Sequence, residues 1–583
     1  MFTNAAGGGA LGAAFAGVLV LQLNPQVPLD PRVLAPLYLR LLAFYGTHLT
    51  AGFYLLIVVR QLFSRELLSP GWLSVRLLAW MGTAVAGGAA GLMWSNLRGL
   101  RLVLTQETAQ RMAAGAAATT LCAFLLLLIA AVHYSFGRRG SRTTGALLAL
   151  TVGCAVALPV VARGWGEPRP AGPPEPPVPV LRAHPPSPGR LVLVLLDGAS
   201  LEYIAPATAS GRLPHFGRLL DAGASMHLSV FHPTQPATVW TAVATGKYPA
   251  HNGIRSAAEF GFGRDPVRLD LLPDGGFAYA MVRFGVLDQR EQDATALRAR
   301  PIWSILSTLG IRVGIVGWPL SDPVLPVEGY LVSHRAHRAG GLPLTLEDPR
   351  VIYPPDAFAY TRVPTMPAAA LDGWVADATD EASAASGAAV ASTERGLLAR
   401  DVWYRRVAGA LEARCPSQVT ALRYQGIDVA GHHYFRYAMP RAFGDVSEAE
   451  RREHGQVLDR QYAHVDEEIG AILDGLSADD VLMVVSGFGM EPVGFAKRWL
   501  ARALGERDLT GTHERAPDGF LLAYGGPVKA GRLPVGSVVD VTPTILYLLG
   551  LPVGRDMDGY ARTDLFVKAF TAERPITFIP SYD

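Results

Sequence analysis

Residues 191–198 read LVLVLLDG. Six apolar residues in unbroken succession, closed by Asp197-Gly198, are the signature of a parallel strand buried on both faces and ended by a tight turn. Working outward, an amphipathic helix is expected over 213–222, with Pro214 in its first turn. Short apolar runs recur at 311–316, 418–424, 480–486 and 519–524, with helical stretches between them. Strands alternating with helices predict an α/β fold whose mostly parallel sheet is flanked by helices. In such sheets ligands bind beyond the carboxyl ends of the strands.

The chain before this region is of another kind. Of 583 residues 50% are hydrophobic and only 17% charged, against about a quarter charged in soluble domains. That excludes intrinsic disorder, and a net charge of +2 gives no footing for nucleic acid. The excess apolarity lies in five runs, 7–23, 41–59, 77–95, 112–133 and 145–162, none containing Asp, Glu, Lys or Arg. A bilayer core needs roughly 20 helical residues, so residues 1–165 are expected to form an all-α membrane domain of five transmembrane helices. Arg60, Arg65, Arg76, Arg138, Arg139 and Arg142 on one side outweigh Arg32, Arg98, Arg101 and Arg111 on the other. This bias places the N-terminus in the cytoplasm and everything after residue 165 outside the cytoplasmic membrane. Residues 166–189 form a linker; of the 23 residues 167–189 ten are proline, which makes a semi-rigid spacer. The outer domain is then 190–583, with an Ala-, Ser- and Thr-rich cap insertion expected around 335–400. Only four of the 52 basic residues are lysine, a bias fitting a GC-rich bacterial genome. Cys122, Cys154 and Cys415 make neither a disulfide framework nor a zinc knuckle.

Carboxylates and imidazoles cluster where the strands end. Asp197 follows the first run, Asp428-Val-Ala-Gly-His432 and His433 follow the run 418–424, and His513 precedes the run 519–524. A lone aspartate after a strand usually caps a helix and a lone histidine is usually structural. Asp428 and His432, however, have the spacing that puts two ligands on one helical turn, and together with Asp197 and His513 they suit a metal bound through N and O. His334 and His337 are expected on a solvated turn.

Several longer stretches carry a resemblance: LVLLDG at 193–198, LPHFGRLLDAGA at 213–224, PTQPATVWTAVATGKYPAHNGI at 233–254, GIRVGIVGWP at 310–319, GTHERAPDGFLLAYG at 511–525 and DVTPTILYLLGLPVGRDMDG at 540–559. Together they resemble the alkaline phosphatase superfamily, in its type I phosphodiesterase/nucleotide pyrophosphatase branch. The resemblance implies two metal ions, usually zinc, and a Thr or Ser nucleophile; the N and O donors by themselves suit one or two ions of zinc or manganese. By position it implies Asp428, His432 and His513 as ligands of one ion and Asp197 as a ligand of the other. Two departures stand out. The family's Asp-His-Gly after the run 480–486 is missing, since Ser486 leads straight into Gly487-Phe488-Gly489. The usual nucleophile position holds Pro236, which has no hydroxyl, leaving Thr234 or Thr238 as a shifted nucleophile or a helix cap. Thr234, in the turn before the helix, is the chosen candidate. Glu491 is a candidate substitute for the missing carboxylate.

The expectation is a membrane-anchored, extracytoplasmic, metal-dependent phosphoesterase, phosphodiesterase or phosphotransferase. Its partners would be the lipid bilayer and a lipid- or glycan-linked phosphoester of the envelope. The layout is similar to lipoteichoic acid synthases and phosphoethanolamine transferases. The alternative is a catalytically degenerate protein that uses the same fold to bind an envelope component. A sulfatase is disfavoured, because 233–246 contains neither the Cys nor the Ser of a C/S-x-P-x-R nucleophile motif.

Overall fold

A computed structural model describes residues 1–63, 72–133, 142–165, 189–262, 267–275, 277–336, 350–361, 400–444, 446–495, 497–499 and 509–583. The linker over 166–188, the cap residues 337–349 and 362–399, and Arg65, Arg138, Arg139 and His337 lie outside the described residues. The chain groups into two compact units, Met1–Ala171 with Arg255–Gln292, and Gly172–Ile254 with Asp293–Asp583.

In the first unit five helices are long and apolar enough to cross a membrane: Phe2–Leu23, Pro31–Phe63, Val75–Gly99, Gln106–Val132 and Arg142–Arg163. The second begins ten residues before the apolar run at 41–59. Asp30 caps it by accepting the Arg32 N–H at 2.8 Å, and Pro31 occupies the first turn. A π-helical turn at Leu42–Gly46 carries the helix on. Ser74 and Thr105 cap the third and fourth helices in the same way.

The sequence assigns 255–292 to the outer domain, but this segment is grouped with the membrane helices. It forms a small antiparallel sheet of Ala258–Gly261 flanked by Arg268–Leu269 and Asp288–Glu291. Its Phe260, Phe262, Leu269, Leu272 and Met281 share one apolar cluster with Val20, Leu21, Val27, Leu37 and Leu41. Two asparagines at helix ends clamp its backbone. Asn24, fully buried, donates to Leu271 O (2.8 Å) and accepts from Asp270 N (2.8 Å) and Leu271 N (3.0 Å). Asn96 donates to Asp274 O (2.9 Å) and accepts from Asp274 N (2.7 Å). The buried Arg163 guanidinium gathers the carbonyls of Leu21, Asn24, Pro25 and Val27. Loop carbonyls in an apolar setting need such donors, and the membrane helices supply them.

The second unit is built on one large sheet. Its strands in chain order are β1 (Leu191–Leu196), β2 (Ala224–Ser229), β3 (Val313–Val316), β4 (Gly329–Val332), β5 (Ile352–Tyr353), β6 (Val419–Tyr424), β7 (Val481–Phe488), β8 (Asp518–Tyr524), β9 (Gly531–Arg532) and β10 (Gly536–Ser537). The order across the sheet is β9-β2-β8-β7-β1-β6-β3-β4-β5, with β10 beside β2. The five central strands β7, β1, β6, β3 and β4 are parallel. β8 and β5 run antiparallel to their neighbours. Helices cover the sheet, so Leu193–Leu196 are at most 2% exposed, as the unbroken apolar run requires. The registers align carboxyl ends: Leu196 stands opposite Tyr424 of β6 and Ser486 of β7. Asp197 and Gln425 therefore leave the sheet side by side, next to Gly487 of β7. β7 continues two residues past the expected end at Ser486, through Phe488.

Candidate metal centre

The helix Gly426–Ala438 starts where β6 ends, and its entry is fixed by the buried Asp401 carboxylate, which accepts Gln425 N and Gly426 N. Asp428 lies in the first turn, where the helix dipole favours a negative charge. His432 is one turn on and on the same face, its Nε2 3.8 Å from Asp428 Oδ1. His513 follows the two-residue strand Gly511–Thr512, which pairs with Glu491–Pro492. That strand lies so close to the helix that a Cβ on Gly511 would sit 2.5 Å from the Gly431 carbonyl oxygen. His513 Nε2 comes to 2.7 Å from Asp428 Oδ1. The ligand atoms of Asp428, His432 and His513 all lie within 4.8 Å of one another.

Both imidazoles are oriented from behind. His432 Nδ1 lies 2.8 Å from Gly511 O and His513 Nδ1 2.8 Å from Gly489 O. A carbonyl only accepts, so Nδ1 carries the hydrogen on each ring and leaves Nε2 to turn its lone pair on the Asp428 side. Asp428 Oδ1 and His513 Nε2 are buried and face each other directly at 2.7 Å. Two acceptors facing at this distance demand a positive charge between them, either a proton or a metal ion. With a proton there, burial tends to lower the His513 pKa, but bonding to Asp428 more than offsets it and holds the group above the ordinary histidine value. Burial likewise tends to raise the Asp428 carboxyl, yet His513, His432 and Arg423 hold it below the usual carboxylate range. Two nitrogens and a carboxylate oxygen with their outer hydrogen bonds in place fit one zinc-type divalent ion.

The sequence matches the family model described as type I phosphodiesterase / nucleotide pyrophosphatase over residues 191–530. The chain belongs to that family. A comparison with curated proteins found no match. The matched span covers more than half of the 583 residues and contains every candidate site residue named above.

Against the family's two-ion expectation, the other residues of this phosphodiesterase domain fall out differently. Asp197 is 1% exposed at the end of β1, and its oxygens accept the Trp240 indole N–H and the Arg423 guanidinium through Nε, at 3.1 and 3.2 Å, and Nη2. Asp197 acts on His513 through its charge, but it is not one of the three clustered ligands. At the end of β7 the place of the Asp-His pair is taken by Gly487 and Phe488, whose ring meets the His513 ring edge-on at 4.6 Å. Glu491 accepts the Arg515 backbone N–H and is also outside the cluster.

Thr234 is buried in the loop before the helix Pro236–Thr245, its Oγ1 donating to Phe231 O at 3.2 Å and lying 3.3 Å from His232 Nδ1. Among the described residues it has no hydrogen bond to the triad. Neither threonine caps the helix: Gln235 is the N-cap residue without a side-chain cap bond, and Thr238 Oγ1 donates to Gln235 O at 2.9 Å. His334 does lie in a turn, but its side chain is half-buried rather than solvated. It packs 3.4 Å from Asp322, and burial, reinforced by Arg423 and Arg335, pushes its pKa down to about 3. The residues that sequence reasoning passed over are Arg423 and Trp240. The one signal for Arg423 was a cation inside the otherwise apolar strand VTALRY.

Proposed function

We propose that this protein is a membrane-anchored, metal-dependent phosphoesterase or phosphotransferase. In this reading its phosphodiesterase domain lies outside the cytoplasmic membrane and acts on a lipid- or glycan-linked phosphoester of the envelope. The observation that carries it is the buried facing of Asp428 Oδ1 and His513 Nε2 at 2.7 Å, with His432 beside them. Family membership supports the reaction class, and the five apolar helices support the attachment. Zinc or manganese held by Asp428, His432 and His513 would supply Lewis-acid polarisation of a phosphoryl oxygen. The Gly511 and Gly489 carbonyls hold the two imidazoles so that Nε2 stays bare. Thr234, in the turn before the helix, is the proposed nucleophile, since Pro236 offers no hydroxyl. The arginine bias around the spans supports the outward placement, and attachment through five apolar helices supports an envelope substrate.

The test uses the full chain in detergent, reloaded with zinc or manganese, and a bis(p-nitrophenyl) phosphate assay. Asp428→Ala and His513→Ala are expected to lose bound metal and to slow turnover by about 100-fold or more. Thr234→Ala is expected to abolish turnover while metal is retained, with Thr234→Ser restoring part of it. Unchanged turnover in both ligand variants would refute the hydrolase reading. A second reading, a binding protein without turnover, is favoured by the Asp197–Arg423 pair and by Phe488 standing in the place of a ligand. Metal-loaded wild type that turns over no phosphate ester would select it.

A further inference from the structure

Resting on the triad's metal assignment just proposed, we infer that this centre takes a single divalent ion, and that the Arg423 guanidinium is the built-in cation at the second position. Asp197 is the residue that would have to hold a second ion, and its carboxylate is already saturated. Oδ1 accepts from Trp240 Nε1 and Arg423 Nε, while Oδ2 accepts from Arg423 Nε and Nη2. Both partners are sequestered, Asp197 at 1% exposed and Arg423 at 5%. A guanidinium is a cation fixed to the chain, so this positive charge cannot be exchanged as an ion could be. A divalent ion placed on Asp197 would meet it as a like charge in a poorly solvated site.

The surrounding packing removes the other means of building a second site. Trp240 is fully buried, packs edge-on against Trp318 at 6.1 Å and accepts the Trp318 indole N–H on its carbonyl at 3.2 Å. The indole that bonds Asp197 is therefore locked in place. Near the end of β7, the Ser486 hydroxyl is spent between the carbonyls of Ala199 (2.8 Å) and Phe488 (3.0 Å). Gly487 has no room for a ligand side chain, because a Cβ there would lie 2.7 Å from Val239 Cγ1. Phe488 presents carbon to His513. The missing Asp-His is thus matched by an arginine, an indole and a phenyl ring that fill the place chemically and sterically.

The experiment is metal stoichiometry on the full chain in detergent, stripped with chelator, reloaded separately with zinc and with manganese, and desalted. One ion per chain is expected in wild type and in Asp197→Asn, and none in His513→Ala. Two ions in wild type, or loss of the ion in Asp197→Asn, would overturn the inference. No ion in wild type would overturn the metal-dependent function itself and the one-ion count with it, so the two failures look different. A second readout needs no metal. In thermal melts with chelator, Arg423→Met strands a buried carboxylate and is expected to lower the midpoint by roughly 5–10 °C. Asp197→Asn combined with Arg423→Met is expected to recover much of that loss. Additive losses in the double variant would refute the pairing.

Discussion

Replacing Asn24 with alanine removes the amide that ties the segment Arg255–Gln292 to the end of the first membrane helix. Three buried backbone groups lose a partner, namely Leu271 O, Asp270 N and Leu271 N. Val20 O does not, because it keeps the Asn24 backbone N–H at 3.1 Å. Each stranded buried group costs about 1–3 kcal/mol, and water recovers part of the total, which leaves about 3–6 kcal/mol. That corresponds to an acceleration of local opening of roughly 100- to 10,000-fold. The measurement is hydrogen–deuterium exchange on the full chain in detergent, followed on peptides covering 267–275 and, as internal reference, on β1 and β7. The amides of Asp270 and Leu271 should exchange faster by at least the lower figure while the reference strands do not change. Equal exchange in wild type and Asn24→Ala would mean that the clamp does not hold the segment, and the reasoning would fail.

Two further outcomes follow from the site. Metal binding must displace the proton that Asp428 helps His513 to hold, and that pKa is raised. Apparent zinc affinity should therefore fall about tenfold per pH unit below the raised value and level off above it, as a chelator competition across pH would read; pH-independent affinity through the mildly acidic range would contradict the facing geometry. Phe488 is fully buried, so Phe488→Ala should cost about 3–5 kcal/mol and Phe488→Leu about 1.5 kcal/mol or less, compared by denaturant midpoints; equal midpoints would show that the ring is not packed as described.

What could be read in advance divides along sequence distance. The central strand was legible because a parallel strand buried on both faces has to be apolar at every position, and 191–196 is. Asp428 and His432 were legible because a four-residue spacing on a helix is itself a statement about space. Arg423 was not, because what it does depends on Asp197, 226 residues away. A cation in a strand says only that some partner exists. The Asn24 clamp spans 247 residues to Leu271, and an asparagine at a helix end is locally indistinguishable from an ordinary cap. The second membrane helix began earlier than its apolar run because Arg40 and Pro36 interrupt the hydrophobic signal, although Asp30 and Pro31 start the helix well.

The grouping of Arg255–Gln292 with the five apolar helices gives those helices a second use. Phe260, Phe262, Leu269, Leu272 and Met281 are covered by residues of the first two membrane helices and the turn between them. A fragment cut at Arg190 would carry those side chains into water with nothing over them. It would self-associate rather than diffuse as a free enzyme. The N-terminal helices thus act as an intramolecular cover for this segment, and unrelated apolar helices grafted in their place would leave it bare.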